Sequence, residues 1–169
     1  MSIIFIKFVL MNFVHSIYNT GLEVLIALTL ANITAQILKM FFSSIKHRSP
    51  QYKMAVSTGG MPSSHSATIV AMACSVGLID GFSSTNFAIA LCVAIIVMYD
   101  AAGIRRSASK QAVVLNEMTK ALIKHIPTLN VKKLKELLGH SPLEVFAGAI
   151  WGIVVSVSAH WILNYLLQG

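Results

Sequence analysis

The sequence predicts an all-α membrane protein, a polytopic bundle of transmembrane helices. Hydrophobic residues make up 56% of its 169 residues and charged residues only 11%, whereas a soluble domain averages roughly 25% charged residues. Four uncharged or nearly uncharged segments approach the length of about 20 residues that crosses a hydrocarbon core. Turn-forming pairs such as Ser49-Pro50 and Gly59-Gly60 separate these segments. The deficit of charge therefore indicates a lipid-facing surface.

The predicted spans cover, in chain order, roughly residues 21–42, 64–79, 86–99 and 142–167. Because backbone polar groups in lipid must be satisfied within the segment, each span should be a helix. Residues 1–18 form a separate apolar segment, which we expect to be either a fifth membrane helix or an interfacial helix. It lacks a cleavage site of the signal-peptide kind. Residues 19–169 should form one membrane domain.

The cations cluster on one side of this predicted topology. A chain crossing the membrane four times places residues 43–61 and 107–139 on the same face, which we call the basic face. We expect the second stretch, 107–139, to be a long polar loop. Twelve of the 13 Lys and Arg residues, all except Lys7, lie in these two stretches or at the predicted helix ends that border them. Since cytoplasmic loops are rich in Lys and Arg, this face should be cytoplasmic, in a bacterial plasma membrane.

The start of the second span carries a polar motif, GGMPSSHS at residues 59–66. A helix start presents free N–H groups and the positive end of the helix dipole, which suits a phosphate. Ser63 or Ser64 is equally suited to a plain N-cap. His65 is placed either to donate a proton to a leaving group or simply to face solvent.

The start of the fourth span combines a histidine with a carboxylate. His140 and Glu144 are four residues apart, so the carboxylate can reach the imidazole one helical turn away and leave its other nitrogen free to attack. The alternative is an interfacial histidine beside a glutamate that stabilises the helix start. Gly148 and Gly152 are also four apart, a spacing that favours close packing of helices.

Further cations lie where the predicted helices leave the membrane. Arg105 and Arg106 follow the third span, where they can pair with Asp100, extend to lipid headgroups or bind phosphate through the guanidinium fork. Lys39 ends the first span, and Arg48 lies in the next loop. Singly, Lys39 fits a membrane-edge anchor as well as a phosphate clamp.

Together these motifs resemble those of the type 2 phosphatidic acid phosphatase and vanadium haloperoxidase superfamily, in particular its divergent bacterial and plant branch. Two strings typical of that branch occur here, GGMPSSHSA at residues 59–67 and YDAAGIR at residues 99–105. The likeness runs from about residue 19 to residue 152. It implies a helical bundle around one phosphate pocket.

The resemblance also implies residue roles. His140 would be the nucleophile, Glu144 its orienting partner and His65 the acid that protonates the leaving group. The phosphate-binding residues would be Lys39, Ser63, Ser64 and Arg105, with Arg48 a weaker correspondence because it is nine residues from Lys39 rather than seven. The chain departs from the superfamily pattern in Ser64, which replaces a glycine, and in Glu144, which replaces an aspartate. Leu134 stands where the last motif has an arginine.

The function expected from this resemblance is hydrolysis or transfer of the phosphoryl group of a lipid phosphate or diphosphate through a phosphohistidine. No metal or other cofactor is expected, and the expected partners are a lipid phosphate and membrane lipids, not nucleic acid. The alternative is an inactive membrane protein of the same fold that binds anionic headgroups. A small transporter subunit ranks third, and a vanadate-dependent haloperoxidase is suggested by fold analogy alone.

Overall fold

The computed structural model describes residues 3–49, 60–125, 134 and 141–168, and within them the chain is helical. The helices are α1 (Ile3–Ile17), α2 (Gly21–His47), α3 (Ser64–Asp80), α4 (Thr85–Ala102), α5 (Ile104–His125) and α6 (Pro142–Gln168). The four segments predicted as spans are confirmed as helices, α2, α3, α4 and α6, each within a few residues of its expected bounds. The segment expected as an extra N-terminal helix is α1.

Length and apolar composition suit three of the helical stretches to a membrane crossing. These are Gly21–Ile45 in α2, the combined stretch Thr85–Lys124 and all of α6. Helix α3 is apolar but shorter, with 17 residues. The chain is thus an integral membrane protein built as a helical bundle, and large apolar side chains such as Leu25, Ile96 and Phe146 are exposed on its surface.

Helix α3 lies at the centre of the bundle, in contact with α2, α4 and α6. Its buried residues are all small: Ser64, Ser66, Ala67, Ala71, Ala73, Ser75 and Gly77. Small side chains let helix backbones approach closely, which is how membrane helices gain packing energy without a hydrophobic driving force between them. The interior is therefore built from close backbone contact rather than from large apolar side chains.

The closest approach is between α3 and α6, at the two predicted packing glycines. A Cβ atom added at Gly148 would overlap the Ser63 carbonyl oxygen and lie 3.0 Å from the Ser66 Cβ. A Cβ atom at Gly152 would overlap the Ala67 carbonyl oxygen. Glycine is therefore required at both positions for α6 to lie against the first two turns of α3.

A buried polar cluster joins α2, α6 and the turn after α1, at the end of the bundle opposite the start of α3. Glu23 is 1% exposed, and its Oε1 lies 2.7 Å from the His160 Nδ1. Its Oε2 accepts a hydrogen bond from the Asn19 N–H at 2.8 Å, and the Tyr18 ring stacks on the imidazole. An ionisable group inside a membrane protein is costly unless it is paired, and this cluster supplies the pairing for both Glu23 and His160.

The expectation of a long polar loop at residues 107–139 is wrong for its first half, because α5 continues to His125. The helix is amphipathic: Val114, Met118 and Leu122 recur every four residues and are exposed together. Asn116, from another side of the helix, is buried and pairs with the Leu134 backbone through two hydrogen bonds of 2.9 Å. The low mean hydropathy of this segment favours a loop, whereas the four-residue period of its apolar side chains indicates a helix.

The packing of α3 on α6 generates a stability prediction. Gly148→Ala and Gly152→Ala should each lower the free energy of unfolding by about 1 to 3 kcal/mol, because the new methyl group would push the two backbones apart. Unfolding of the purified protein in detergent micelles measures the effect. Ser158→Ala, on an exposed position of α6, is the control and should change little. Equal stability of all three variants would contradict the packing described here.

Candidate functional site

The start of α3 is fixed by Ser63, which acts as its N-cap. The Ser63 Oγ accepts hydrogen bonds from the Ser66 N–H at 3.3 Å and from the Ser66 hydroxyl at 3.0 Å. The Ser63 N–H donates to the Glu144 carbonyl oxygen at 3.0 Å. Ser63 is therefore an N-cap, one of the two roles considered for it, and it also bonds α3 to the first turn of α6.

Ser64 is the first residue of α3 and is buried. Its Oγ accepts a hydrogen bond from the Gln36 Nε2 at 3.1 Å, so the hydroxyl retains its own proton for donation. Within the described part of the chain, no acceptor pairs with the Ser64 N–H. An unpaired amide at a helix start, aligned with the helix dipole, is the arrangement that binds anions.

The start of α6 is closed by a capping box formed by Ser141 and Glu144. The Ser141 N–H donates to the Glu144 Oε2 at 3.0 Å, and the Glu144 N–H donates to the Ser141 Oγ at 3.3 Å. Pro142 occupies the first turn, where the missing N–H does no harm. The sequence pattern Ser-x-x-Glu at residues 141–144 is the signal that could have predicted this box.

Lys39 brings a positive charge to the same end of the bundle. It is 1% exposed and interacts electrostatically with Glu144. A buried charge requires a partner, and the carboxylate provides one from the neighbouring helix. The second half of α2 thus meets the starts of α3 and α6 at one place.

The remaining predicted site residues are less closely tied to this place. His65 is the second residue of α3 and is partly buried. Arg48 is exposed and ends α2, in the left-handed conformation with φ 51°. Arg105 lies in the first turn of α5, which directly follows α4. His140 and the side chain of Arg105 lie outside the described residues.

The geometry thus brings together Lys39, Ser63, Ser64 and Glu144 of the predicted set. It adds Gln36, which the sequence analysis missed. Asn32, Gln36 and Lys39 recur at positions i, i+4 and i+7 of a largely apolar helix, and this polar stripe was the available signal. A buried cation, an amide without an acceptor in the described part of the chain and buried hydroxyl groups form a combination suited to an anion such as phosphate.

Comparison with known proteins identifies the family to which the chain is similar. The chain matches the model of the Divergent PAP2 family over residues 21–155. It is 41% identical over 137 residues to the uncharacterized membrane protein YuiD of Bacillus subtilis (strain 168), an alignment covering 75% of this chain and 87% of that protein. No solved structure matches the chain.

The electrostatic interaction between Lys39 and Glu144 generates a second prediction. A double-mutant cycle with Lys39→Met and Glu144→Gln should give a coupling energy of about 0.5 to 3 kcal/mol in unfolding, because each single variant leaves the other group without its partner. The control cycle uses Lys120→Met and Glu117→Gln, an exposed pair on α5, for which we expect at most about 0.5 kcal/mol. Coupling no larger than in the control would show that Lys39 and Glu144 act independently.

Proposed function

The chain belongs to the Divergent PAP2 family, and from that premise we propose that it is a membrane phosphatase or phosphotransferase acting on a lipid phosphate or diphosphate. The observation that carries the proposal is the burial of Lys39 one helical turn from Gln36, whose side chain bonds Ser64 at the start of α3. A phosphoryl group bound there would meet a positive charge and a helix dipole in a region of low dielectric. Stabilisation of this kind is usually the largest contribution to phosphoryl transfer.

In the proposed reaction, His140 attacks phosphorus as the bond to the ester oxygen breaks. His65 gives its proton to the departing alkoxide, so the lipid leaves as an alcohol. Water then cleaves the phosphohistidine and releases phosphate, whereas an acceptor alcohol in place of water would complete a phosphotransfer. Lys39, Ser63, Ser64 and Arg105 would hold the phosphoryl oxygens throughout.

Support for the nucleophile comes from chain position. His140 immediately precedes Ser141, whose backbone N–H is bonded to the Glu144 carboxylate. The carboxylate proposed to orient the imidazole is thus bonded to the residue next to His140 and is itself held in place. The second Glu144 oxygen, Oε1, is the atom we assign to His140.

The alternative is an inactive member of the fold that binds anionic headgroups, and one observation favours it. Glu144 already bonds the Ser141 amide and interacts with Lys39, so a purely structural role accounts for its position. In that case Lys39 and the start of α3 would bind a headgroup phosphate without cleaving it.

The mechanism predicts distinct effects for the two histidines. His140→Ala should abolish phosphate release from lipid phosphates. His65→Ala should slow it by about 10²- to 10⁴-fold for alkyl esters and much less for an aryl ester, whose good leaving group needs no proton. His15→Ala, exposed on α1, is the control. Phosphate release by the purified protein gives the rates.

Trapping the intermediate tests the nucleophile directly. The enzyme reacts with substrate that carries a labelled phosphate, and the reaction is quenched in alkaline denaturant, in which phosphohistidine survives. The labelled peptide is then mapped. We expect the label on His140, with Glu144→Gln forming less of it. An active enzyme that never carries the label, or full turnover by His140→Ala, would refute the histidine nucleophile.

Orientation in the membrane is a separate part of the proposal, which places the basic face in the cytoplasm because of its cations. In a background in which Cys74 and Cys92 are alanine, Lys110→Cys on α5 should react with an impermeant maleimide only after cells are broken. Ser83→Cys, in the exposed turn between α3 and α4, should react in cells whose plasma membrane is intact but whose outer layers are permeable. The reverse pattern would mean that the cations serve the site rather than the topology.

A further inference from the structure

Two amide–hydroxyl hydrogen bonds join α2 to α3, one at the candidate site and one farther into the bundle. The Gln36 Nε2 donates to the Ser64 Oγ at 3.1 Å, and the Asn32 Nδ2 donates to the Thr68 Oγ1 at 2.9 Å. The members of these pairs are four residues apart on both helices, so the two bonds are one turn apart. The Gln36 bond is the one at the candidate site.

The second polar atom of the Gln36 side chain is unusual. Its Oε1 is buried, and among the described residues no donor lies within hydrogen-bond distance of it. Native proteins leave few buried acceptors unsatisfied, and those that remain commonly serve binding or catalysis. Gln36 thus uses one end of its amide to hold Ser64 and keeps an acceptor at the other end.

The position of Gln36 indicates which part of a bound lipid would meet this acceptor. Gln36 precedes Lys39 by three residues, on the same face of α2 and about 5 Å farther from the end of the helix at the basic face. A lipid phosphate held by Lys39 and the start of α3 extends its ester oxygen and carbon chain toward the membrane interior. The backbone of the lipid, next to the ester, is therefore the part nearest to Gln36.

We propose that Gln36 is a substrate-recognition residue whose Oε1 accepts a hydrogen bond from a hydroxyl or amide N–H group next to the phosphate ester. This rests on the function proposed above and narrows its substrate class. Lysophospholipids with a free glycerol hydroxyl, and sphingoid phosphates with an amide or hydroxyl group, carry such a donor. Polyprenyl phosphates carry no such donor, so a bound polyprenyl phosphate would leave the Gln36 Oε1 without a hydrogen bond.

Two ligands that differ only in the donor test this assignment. They are 1-acyl-glycerol 3-phosphate and its 2-deoxy analogue, and both dissociation constants and phosphate release are measured on the full chain in lipid nanodiscs. The wild-type protein should bind the hydroxyl-bearing ligand about tenfold more tightly, the difference expected of one net hydrogen bond. Equal affinity of the wild-type protein for both would overturn the proposal without need of any variant.

Variants then assign the preference to one side chain. Gln36→Met has a similar shape but no acceptor, and it should bind the two ligands equally. Asn32→Leu removes the matching bond one turn away from the site and should keep the tenfold preference. A merely structural role of Gln36 would change both affinities by the same factor, and a preference retained in Gln36→Met would overturn the proposal.

The two proposals fail in different ways. If neither ligand releases phosphate but the tenfold difference in affinity is present and is lost in Gln36→Met, recognition by Gln36 stands and hydrolysis is refuted. If phosphate is released but the two ligands bind equally to the wild-type protein, hydrolysis stands and recognition by Gln36 is refuted.

Discussion

Glycines at positions 148 and 152 allow α6 to lie directly against the backbone of α3, and the Ser63 N–H reaches the Glu144 carbonyl across that contact. The other features of the site depend on this approach. It places the starts of α3 and α6 side by side, and each start is capped by a serine, Ser63 in α3 and Ser141 in α6. Side chains larger than hydrogen would separate the helices and remove the Glu144 carboxylate from Lys39.

Ionisable groups buried within the bundle link α2 to α6 at both ends. At one end Lys39 on α2 interacts with Glu144 on α6, and at the other end Glu23 on α2 contacts His160 on α6. Each pair satisfies groups that lipid would not tolerate alone. The two pairs thus link α2 to α6 at both ends, while the small residues of α3 supply close contact with both helices. The first of these pairs lies near the buried Ser64 amide at the start of α3, which is where we place the anion site.

The sequence was sufficient for features that depend on composition and local pattern. Apolar length predicted α2, α3, α4 and α6, and the motif at residues 59–67 predicted the serine-capped start of α3. Features that depend on contacts distant in sequence could not be found in this way. Glu23 and His160 are separated by 137 residues, and nothing local to either indicates the other. Gln36 belonged to a visible polar stripe, but its significance depends on Ser64 from another helix. Helix α5 was missed because its amphipathic pattern resembles a polar loop in average hydropathy.

The central claim is that Lys39 and the start of α3 form a phosphoryl-binding site, and binding of orthovanadate tests it most directly, because transition-state analogues bind far more tightly than substrates. Vanadium-51 resonance of the full chain in nanodiscs should show one bound species at a stoichiometry near one. It should be lost in Lys39→Met and retained in Lys110→Met, which removes an exposed cation of α5. Absence of a bound species in the folded wild-type protein, or equal binding by both variants, would contradict the account.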